Sequence, residues 1–148
     1  MEAQELTTAD RDAAVRLWDA AGLTRPWNDP VTDFDRAIAS AQSAVLGLSD
    51  GGAPIGTVMV GDDGHRGWVY YLAVDPSVRR RGVGAALMAA AEGWLLARGV
   101  TKLNLMVRQS SRSVLGFYSN LGYHDDDVVV LSRRLYPTER TTLVRSEG

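Results

Sequence analysis

The turn at residues 74–84 constrains the fold most, because it joins a buried strand directly to an amphipathic helix. Its sequence is V-D-P-S-V-R-R-R-G-V-G, and residues 68–74 are rich in the aromatic and β-branched types that favour a strand. Apolar residues recur at helical spacing beyond it: Val83, Leu87, Ala90 and Trp94. The first amides of a helix lack intrahelical partners and glycine has no Cβ. The turn can therefore bind an anion such as a diphosphate.

A purely structural interpretation of this turn stays open. Gly82 and Gly84 also permit a tight bend, with the three neighbouring arginines in solvent. A dinucleotide-binding turn is disfavoured, because the spacing is not G-x-G-x-x-G and no ribose-binding acid follows.

Composition excludes several classes of protein. The 148 residues suit one domain. The chain has no cysteine, which excludes disulfides, thiolate metal sites and an acyl-cysteine intermediate. A formal net charge of −2 disfavours bulk binding to nucleic acid. No apolar stretch is long enough for a bilayer and the first residues show no export pattern, so we expect a cytoplasmic protein without a membrane partner.

The patterning predicts a mixed α/β domain in the order β-α-α-β-β-β-α-β-α-β. Strands are expected over residues 2–7, 44–49, 54–60, 68–74, 102–107 and 128–135. Helices are expected from a Thr7–Asp10 capping box to Gly22, over 32–42, from Val83 towards Gly99, and over 113–121. The first helix should face inward with Ala14, Val15, Trp18 and Ala21. The domain should span 1–136, leaving 137–148 as a disordered tail.

Two motifs resemble those of a known family. The pattern R-x-x-G-x-G at 79–84, behind V-D-P, resembles the pyrophosphate-binding motif of the GNAT superfamily of N-acetyltransferases. The segment Y-S-N-L-G-Y at 118–123 is similar to a second GNAT signature. Residues 25–30 and 61–67 look like those of the bacterial YpeA-type acetyltransferases. The resemblance covers nearly the whole chain and implies a GNAT-like acyl-CoA N-acyltransferase fold.

The resemblance implies acetyl-CoA as co-substrate and no metal. The backbone of Leu72, Ala73 and Val74 would pair with the pantetheine arm like an added strand. The residues expected around the diphosphate are Arg79, Arg80, Arg81, Gly82, Val83, Gly84 and Ala85. Ser111 stands where the family has an asparagine, and it can still hydrogen-bond the cofactor.

The resemblance also assigns catalytic candidates. Tyr118 matches the tyrosine that gives a proton or hydrogen bond to the leaving thiolate, although its helical spacing also fits a core aromatic. Met106 stands where related enzymes have a glutamate base. The base is therefore open among Asp63, His65 and Tyr71. A metal at Asp62, Asp63 and His65 is disfavoured, because no further ligand is suitably spaced.

The acceptor is expected to be a primary amine on a small molecule or a protein. Such an amine is largely protonated at pH 7. Asp62 and Asp63 could attract this cation, and Trp27 could line the acceptor pocket or join two helices. A homodimer through exposed strands is compatible with the sequence. Two other functions remain open: an acyl-CoA-binding sensor without turnover, and nucleic-acid binding through the arginines at 79–81.

Overall fold

The computed structural model describes residues 2–78 and 82–136, in which five strands form one sheet in the order β1-β2-β3-β4-β5. The strands are β1 (Gln4–Glu5), β2 (Ser43–Ser49), β3 (Pro54–Asp62), β4 (Gly67–Val74) and β5 (Leu103–Asn104). The helices are α1 (Arg11–Ala20), α2 (Pro30–Ala39), α3 (Val83–Leu96) and α4 (Arg112–Asn120). Neighbouring strands are antiparallel except for the parallel pair β4 and β5. This mixed sheet with helices confirms the predicted fold class.

The chain divides into two compact units, Met1–Met106 and Val107–Gly148. The first contains the sheet and α1 to α3, and the second contains α4. No helix in the described part of the chain is long and apolar enough to cross a lipid bilayer.

The predicted capping box is present before α1. The Thr7 amide donates to Asp10 Oδ2 at 2.9 Å, and the Ala9 amide donates to Thr7 Oγ1 at 3.3 Å. The box begins a 3-10 turn that leads into α1. Ala14 and Trp18 are buried as expected, whereas Val15 and Ala21 are only partly buried, and Leu17 completes the buried face instead.

Helix α2 begins two residues earlier than the sequence patterning predicts. The Asp29 carboxylate accepts hydrogen bonds from the amides of Val31 at 3.1 Å and Thr32 at 3.3 Å, so Asp29 caps the helix. Pro30 occupies the first helical position, where its missing N–H costs nothing. Pro30, which lies before the predicted start at residue 32, therefore starts the helix.

One part of the core lies between α1, α2 and the sheet. Trp18 and Phe34 are fully buried there, with ring centroids 6.0 Å apart. Thr57 of β3 is also fully buried, and its hydroxyl accepts a hydrogen bond from Trp18 Nε1 at 2.8 Å. This contact fixes the indole of α1 against the centre of the sheet.

The prediction of a final strand over 128–135 is wrong. Residues 128–134 have neither a helix, a turn nor a strand pairing among the described residues, and their side chains are exposed. Their β-branched character favours extended backbone, but a strand also requires a hydrogen-bonding neighbour. The fifth strand is likewise shorter than the predicted 102–107. The predicted tail at 137–148 lies outside the described residues.

Candidate functional site

Strands β4 and β5 diverge and leave one edge of β4 open. Strand β4 pairs with β3 from Gly67 to Val74, but it pairs with β5 only at Gly67 and Trp68. Past Trp68, the β5-facing edge of β4 has no strand partner within residues 2–78 and 82–136. This edge includes Leu72, Ala73 and Val74. Open edges present backbone N–H and C=O groups that can pair with an extended ligand.

A β-bulge interrupts β4 at Tyr71. Thr57 pairs with Ala73 and Met59 pairs with Tyr70, so two β4 residues oppose Val58. Tyr71 has a positive φ of 54°, an uncommon conformation for a non-glycine residue. Its ring stacks on Trp18 with centroids 4.0 Å apart and an interplanar angle of 11°. The bulge thus turns the Tyr71 side chain towards α1 and α2, away from the regular alternation of the strand.

The Tyr71 hydroxyl is engaged by a carboxylate that sequence reasoning missed. It donates to Asp33 Oδ2 at 2.7 Å. Burial and this carboxylate raise the pKa of Tyr71 well above its ordinary value. A phenol held in this state is a poor proton acceptor. The signal that could have identified Asp33 is the Asp29-Pro30 pair, since it fixes the start of α2 and places Asp33 in the first turn.

The N-terminus of α3 packs beside the end of β4. Gly82 precedes the helix with φ 77°, and its carbonyl accepts from the Ala86 amide at 3.0 Å. The earlier amides of the first turn therefore have no acceptor within the helix. Gly56 of β3 pairs with Val74 and lies very close to α3. A Cβ added to Gly56 would be 2.6 Å from Cγ1 of Val83, the first residue of that helix. Part of the predicted diphosphate site is thus next to the open edge, while Arg79, Arg80 and Arg81 lie outside the described residues.

Asp63 organises the turn between β3 and β4. Its Oδ1 accepts from the amides of His65 at 2.8 Å and Arg66 at 2.7 Å, and its Oδ2 accepts from Trp68 Nε1 at 3.1 Å. The backbone amides, that of Arg66 first, hold the pKa of Asp63 below its ordinary value. Three hydrogen bonds to the ionised form make Asp63 a weak base and favour a structural role.

The residues expected to bind the acceptor do not all come together. Asp62 and Asp63 line an open cavity of ≈ 220 Å³, together with Gln42, Ser43, Gly61 and Trp68. Trp27 is not among these residues; it lies in the loop between α1 and α2, where 44% of it is exposed. His65 is exposed in the turn beside the cavity. The two aspartates therefore share one cavity, and Trp27 does not line it.

In the second unit, Tyr118 lies near the C-terminal end of α4. Its ring makes edge contacts with Phe117 at 5.0 Å and Tyr123 at 5.8 Å between centroids. Burial raises the pKa of Tyr118 to about 12. Ser111 immediately precedes α4, and its side chain does not cap the helix. Tyr118 is thus a protonated hydrogen-bond donor at neutral pH.

Comparisons with known proteins show what the whole chain is similar to. The model of the acetyltransferase (GNAT) family matches residues 6–123. A protein named acetyltransferase from Yersinia enterocolitica is 42% identical over 135 residues, covering 91% of this chain and 96% of that protein.

Solved structures show the same fold. The aminoglycoside N-acetyltransferase AAC(6')-Iy in complex with CoA superposes with a TM-score of 0.79 at 17% identity, covering 91% of this chain and 95% of that one. The ribosomal-protein-S18-alanine N-acetyltransferase from Escherichia coli gives a TM-score of 0.73 at 26% identity, with 93% and 84% covered.

Proposed function

Because the chain belongs to the acetyltransferase (GNAT) family, we propose that it transfers the acetyl group of acetyl-CoA to a primary amine by direct attack within a ternary complex. Membership of this family shows that the chain is an acyltransferase. What we propose is that the acceptor is an amine and that it attacks acetyl-CoA directly while both are bound. The names of the two solved relatives, which act on an aminoglycoside and on a protein alanine, support an amine as the acceptor.

The open edge of β4 beside the first turn of α3 is the observation that carries the proposal. We propose that Leu72, Ala73 and Val74 bind the pantetheine arm through their backbone. The free amides of residues 83–85 would then bind the diphosphate, assisted by the arginines at 79–81. The bulge at Tyr71 interrupts the ladder with β3 only locally, since pairing resumes at Ala73, and it is the opposite edge of β4 that is proposed to pair with the ligand.

The chemistry is addition of the neutral amine to the thioester carbonyl, followed by cleavage of the C–S bond. The leaving thiolate has an ordinary pKa of about 8.5. Tyr118 has a pKa of about 12, so complete proton transfer from its hydroxyl is strongly uphill. We therefore assign Tyr118 a hydrogen bond to the thiolate and leave final protonation to solvent. Ser111 is assigned a hydrogen bond to the cofactor.

The amine must lose a proton before it attacks. Asp63 is held by three hydrogen bonds and Tyr71 already donates to Asp33, which weakens both as bases. The hydrogen bonds of the turn use the backbone of His65, and its side chain is exposed. We propose His65 as the base and Asp62 as an attraction for the cationic amine. Tyr71 would have a positioning role through its hydrogen bond to Asp33.

The test is a thiol-release assay with acetyl-CoA and a panel of amino acids, polyamines, aminoglycosides and N-terminal peptides. Tyr118→Phe should lower turnover about tenfold or more, the usual scale for a lost donor at the reacting group, while coenzyme A affinity stays unchanged. Tyr136→Phe is the matched control, since Tyr136 is exposed, and it should retain full activity. Coenzyme A binding without thiol release for any amine would contradict transfer and favour a sensor.

A further inference from the structure

Tyr71 has a strained backbone conformation that contacts from three neighbouring elements hold. Its φ of 54° is costly for a residue with a side chain and persists where the surrounding structure imposes it. Trp18 of α1 stacks on its ring, and Asp33 of α2 accepts a hydrogen bond from its hydroxyl at 2.7 Å. The Thr57 hydroxyl of β3 donates to the Tyr71 carbonyl oxygen at 3.4 Å. Both the side chain and the backbone of Tyr71 are therefore held by contacts within the first unit.

The extra residue of the bulge decides which backbone groups of β4 point to its open edge. In an antiparallel pair, successive residues direct their N–H and C=O groups alternately towards the partner strand and away from it. The Gly67 amide donates to the Lys102 carbonyl at 2.9 Å, on the side of β5. Unbroken alternation from Gly67 would therefore direct every second residue, up to Ala73, to the side of β5.

Beyond the bulge this alternation is reversed. The Asp75 amide donates to the Ile55 carbonyl of β3 at 2.8 Å, so the backbone of Asp75 is directed to β3. By the same alternation, Ala73 is directed to β3, and Leu72 and Val74 are directed to the open edge. The bulge thus selects Leu72 and Val74 as the residues whose N–H and C=O groups are offered for pairing with an extended ligand.

We propose that Asp33 is a positioning residue for the cofactor: through the Tyr71 hydroxyl it holds the bulge that presents Leu72 and Val74 to the pantetheine arm. This inference rests on the proposed function, since it takes the open edge of β4 as the cofactor site. Asp33 is itself held in the first turn of α2, where its amide donates to the Asp29 carbonyl at 2.9 Å.

The hydrogen bond to Asp33 adds a directional restraint that ring stacking lacks. Stacked rings such as those of Trp18 and Tyr71 can slide over one another with little change in contact. A hydrogen bond instead requires donor and acceptor within about 3 Å and close to linear, and a charged acceptor strengthens it. The carboxylate of Asp33 therefore fixes the position of the Tyr71 ring along the surface of Trp18, and with it the backbone of the bulge.

A double-mutant cycle tests whether Asp33 acts through Tyr71. Tyr71→Phe keeps the ring and its stack but removes the hydroxyl, and Asp33→Ala removes the acceptor. Each should weaken coenzyme A binding about tenfold in calorimetry. The double variant should bind no more weakly than either single variant, because all three lack the same hydrogen bond. Asp33→Asn, whose amide oxygen can still accept, should recover most of the affinity.

Asp35→Ala is the matched control, because Asp35 lies in the same helix and pairs with Arg11 instead. It should retain the coenzyme A affinity of the wild type. Fragments of the cofactor then separate a positioning role from general damage to the fold. In Tyr71→Phe, pantetheine should bind about tenfold more weakly, as coenzyme A does. Inorganic diphosphate, which is expected to contact residues 79–85 and not β4, should bind with unchanged affinity.

Three outcomes would overturn this inference alone. They are wild-type coenzyme A affinity in both single variants, a double variant weakened by the product of the two effects, about a hundredfold, and an equal loss of diphosphate and pantetheine binding in Tyr71→Phe. If wild type itself binds no coenzyme A, the proposed function fails together with this inference.

Discussion

The buried contact between Trp18 and Thr57 joins α1 to the centre of the sheet. Thr57→Val keeps the side-chain shape but leaves the Trp18 indole N–H without its acceptor in a dry environment. We expect a loss of about 1–3 kcal/mol in the free energy of unfolding. Thr57→Ser keeps the hydroxyl and removes one methyl group, so it should lose only about 1 kcal/mol. Urea denaturation measures both, and a valine variant as stable as the serine variant would contradict the role of the hydrogen bond.

Tyr118 should make stability depend on alkaline pH. Its pKa is about 12 in the folded chain against an ordinary 10.0. Between these values the unfolded chain loses the phenolic proton while the folded chain keeps it, so stability falls as pH rises. Below pH 10 both states are protonated and the contribution is complete. Urea midpoints at pH 9, 10 and 11 should fall more steeply for wild type than for Tyr118→Phe. Parallel slopes would show that the phenol is not desolvated.

Single residues differ in how far sequence reveals them. The Thr7–Asp10 capping box was predictable, because both partners lie within one turn of each other. The Asp33–Tyr71 hydrogen bond joins residues 38 positions apart, and it depends on both the start of α2 and the bulge in β4. The Asp29-Pro30 pair marks the start of α2, but local patterning does not show the bulge in β4, so Asp33 went unpredicted. Asp63 was identified from the sequence as a candidate site residue, but its three hydrogen bonds within the turn were not predicted.

Gly56 controls how closely α3 approaches the sheet. A Cβ there would lie 2.6 Å from Val83 Cγ1, 2.8 Å from Leu87 Cδ1 and 3.3 Å from the Ala73 carbonyl oxygen. Gly56→Ala should therefore displace the first turn of α3, costing about 1–3 kcal/mol of stability and weakening coenzyme A binding. Gly52→Ala is the matched control, because no atom lies within 4 Å of its added Cβ. Calorimetry and urea denaturation check both, and unchanged coenzyme A affinity in Gly56→Ala would separate α3 from the binding site.

Strands and helices were predictable where their own residues determine them. The buried strands β2, β3 and β4 lie within two residues of their predicted bounds, because apolar runs and flanking glycines mark them. The segment at 128–135 has the same composition, yet it forms no strand. Its state depends on a hydrogen-bonding neighbour that composition does not supply. Strand β5 is short for the same reason. Its pairing with β4 ends at Asn104, so the residues beyond it have no strand neighbour there.

For the molecule as a whole, the net charge and the local charge at the arginines have opposite effects on the affinity for coenzyme A. The chain carries a net charge of −2, which repels a polyanion, but the three arginines at 79–81 directly precede, in the sequence, the amides proposed to bind the diphosphate. Nearby charges dominate when salt screens distant ones, and at high salt the local attraction is screened too. Coenzyme A affinity should therefore fall by on the order of tenfold between low salt and about 1 M salt. Pantetheine, which lacks the phosphates, should bind independently of salt in the same calorimetric titration. A coenzyme A affinity that rises or stays constant with salt would mean that the arginines do not contact the phosphates, leaving the helix amides as the whole of the anion site.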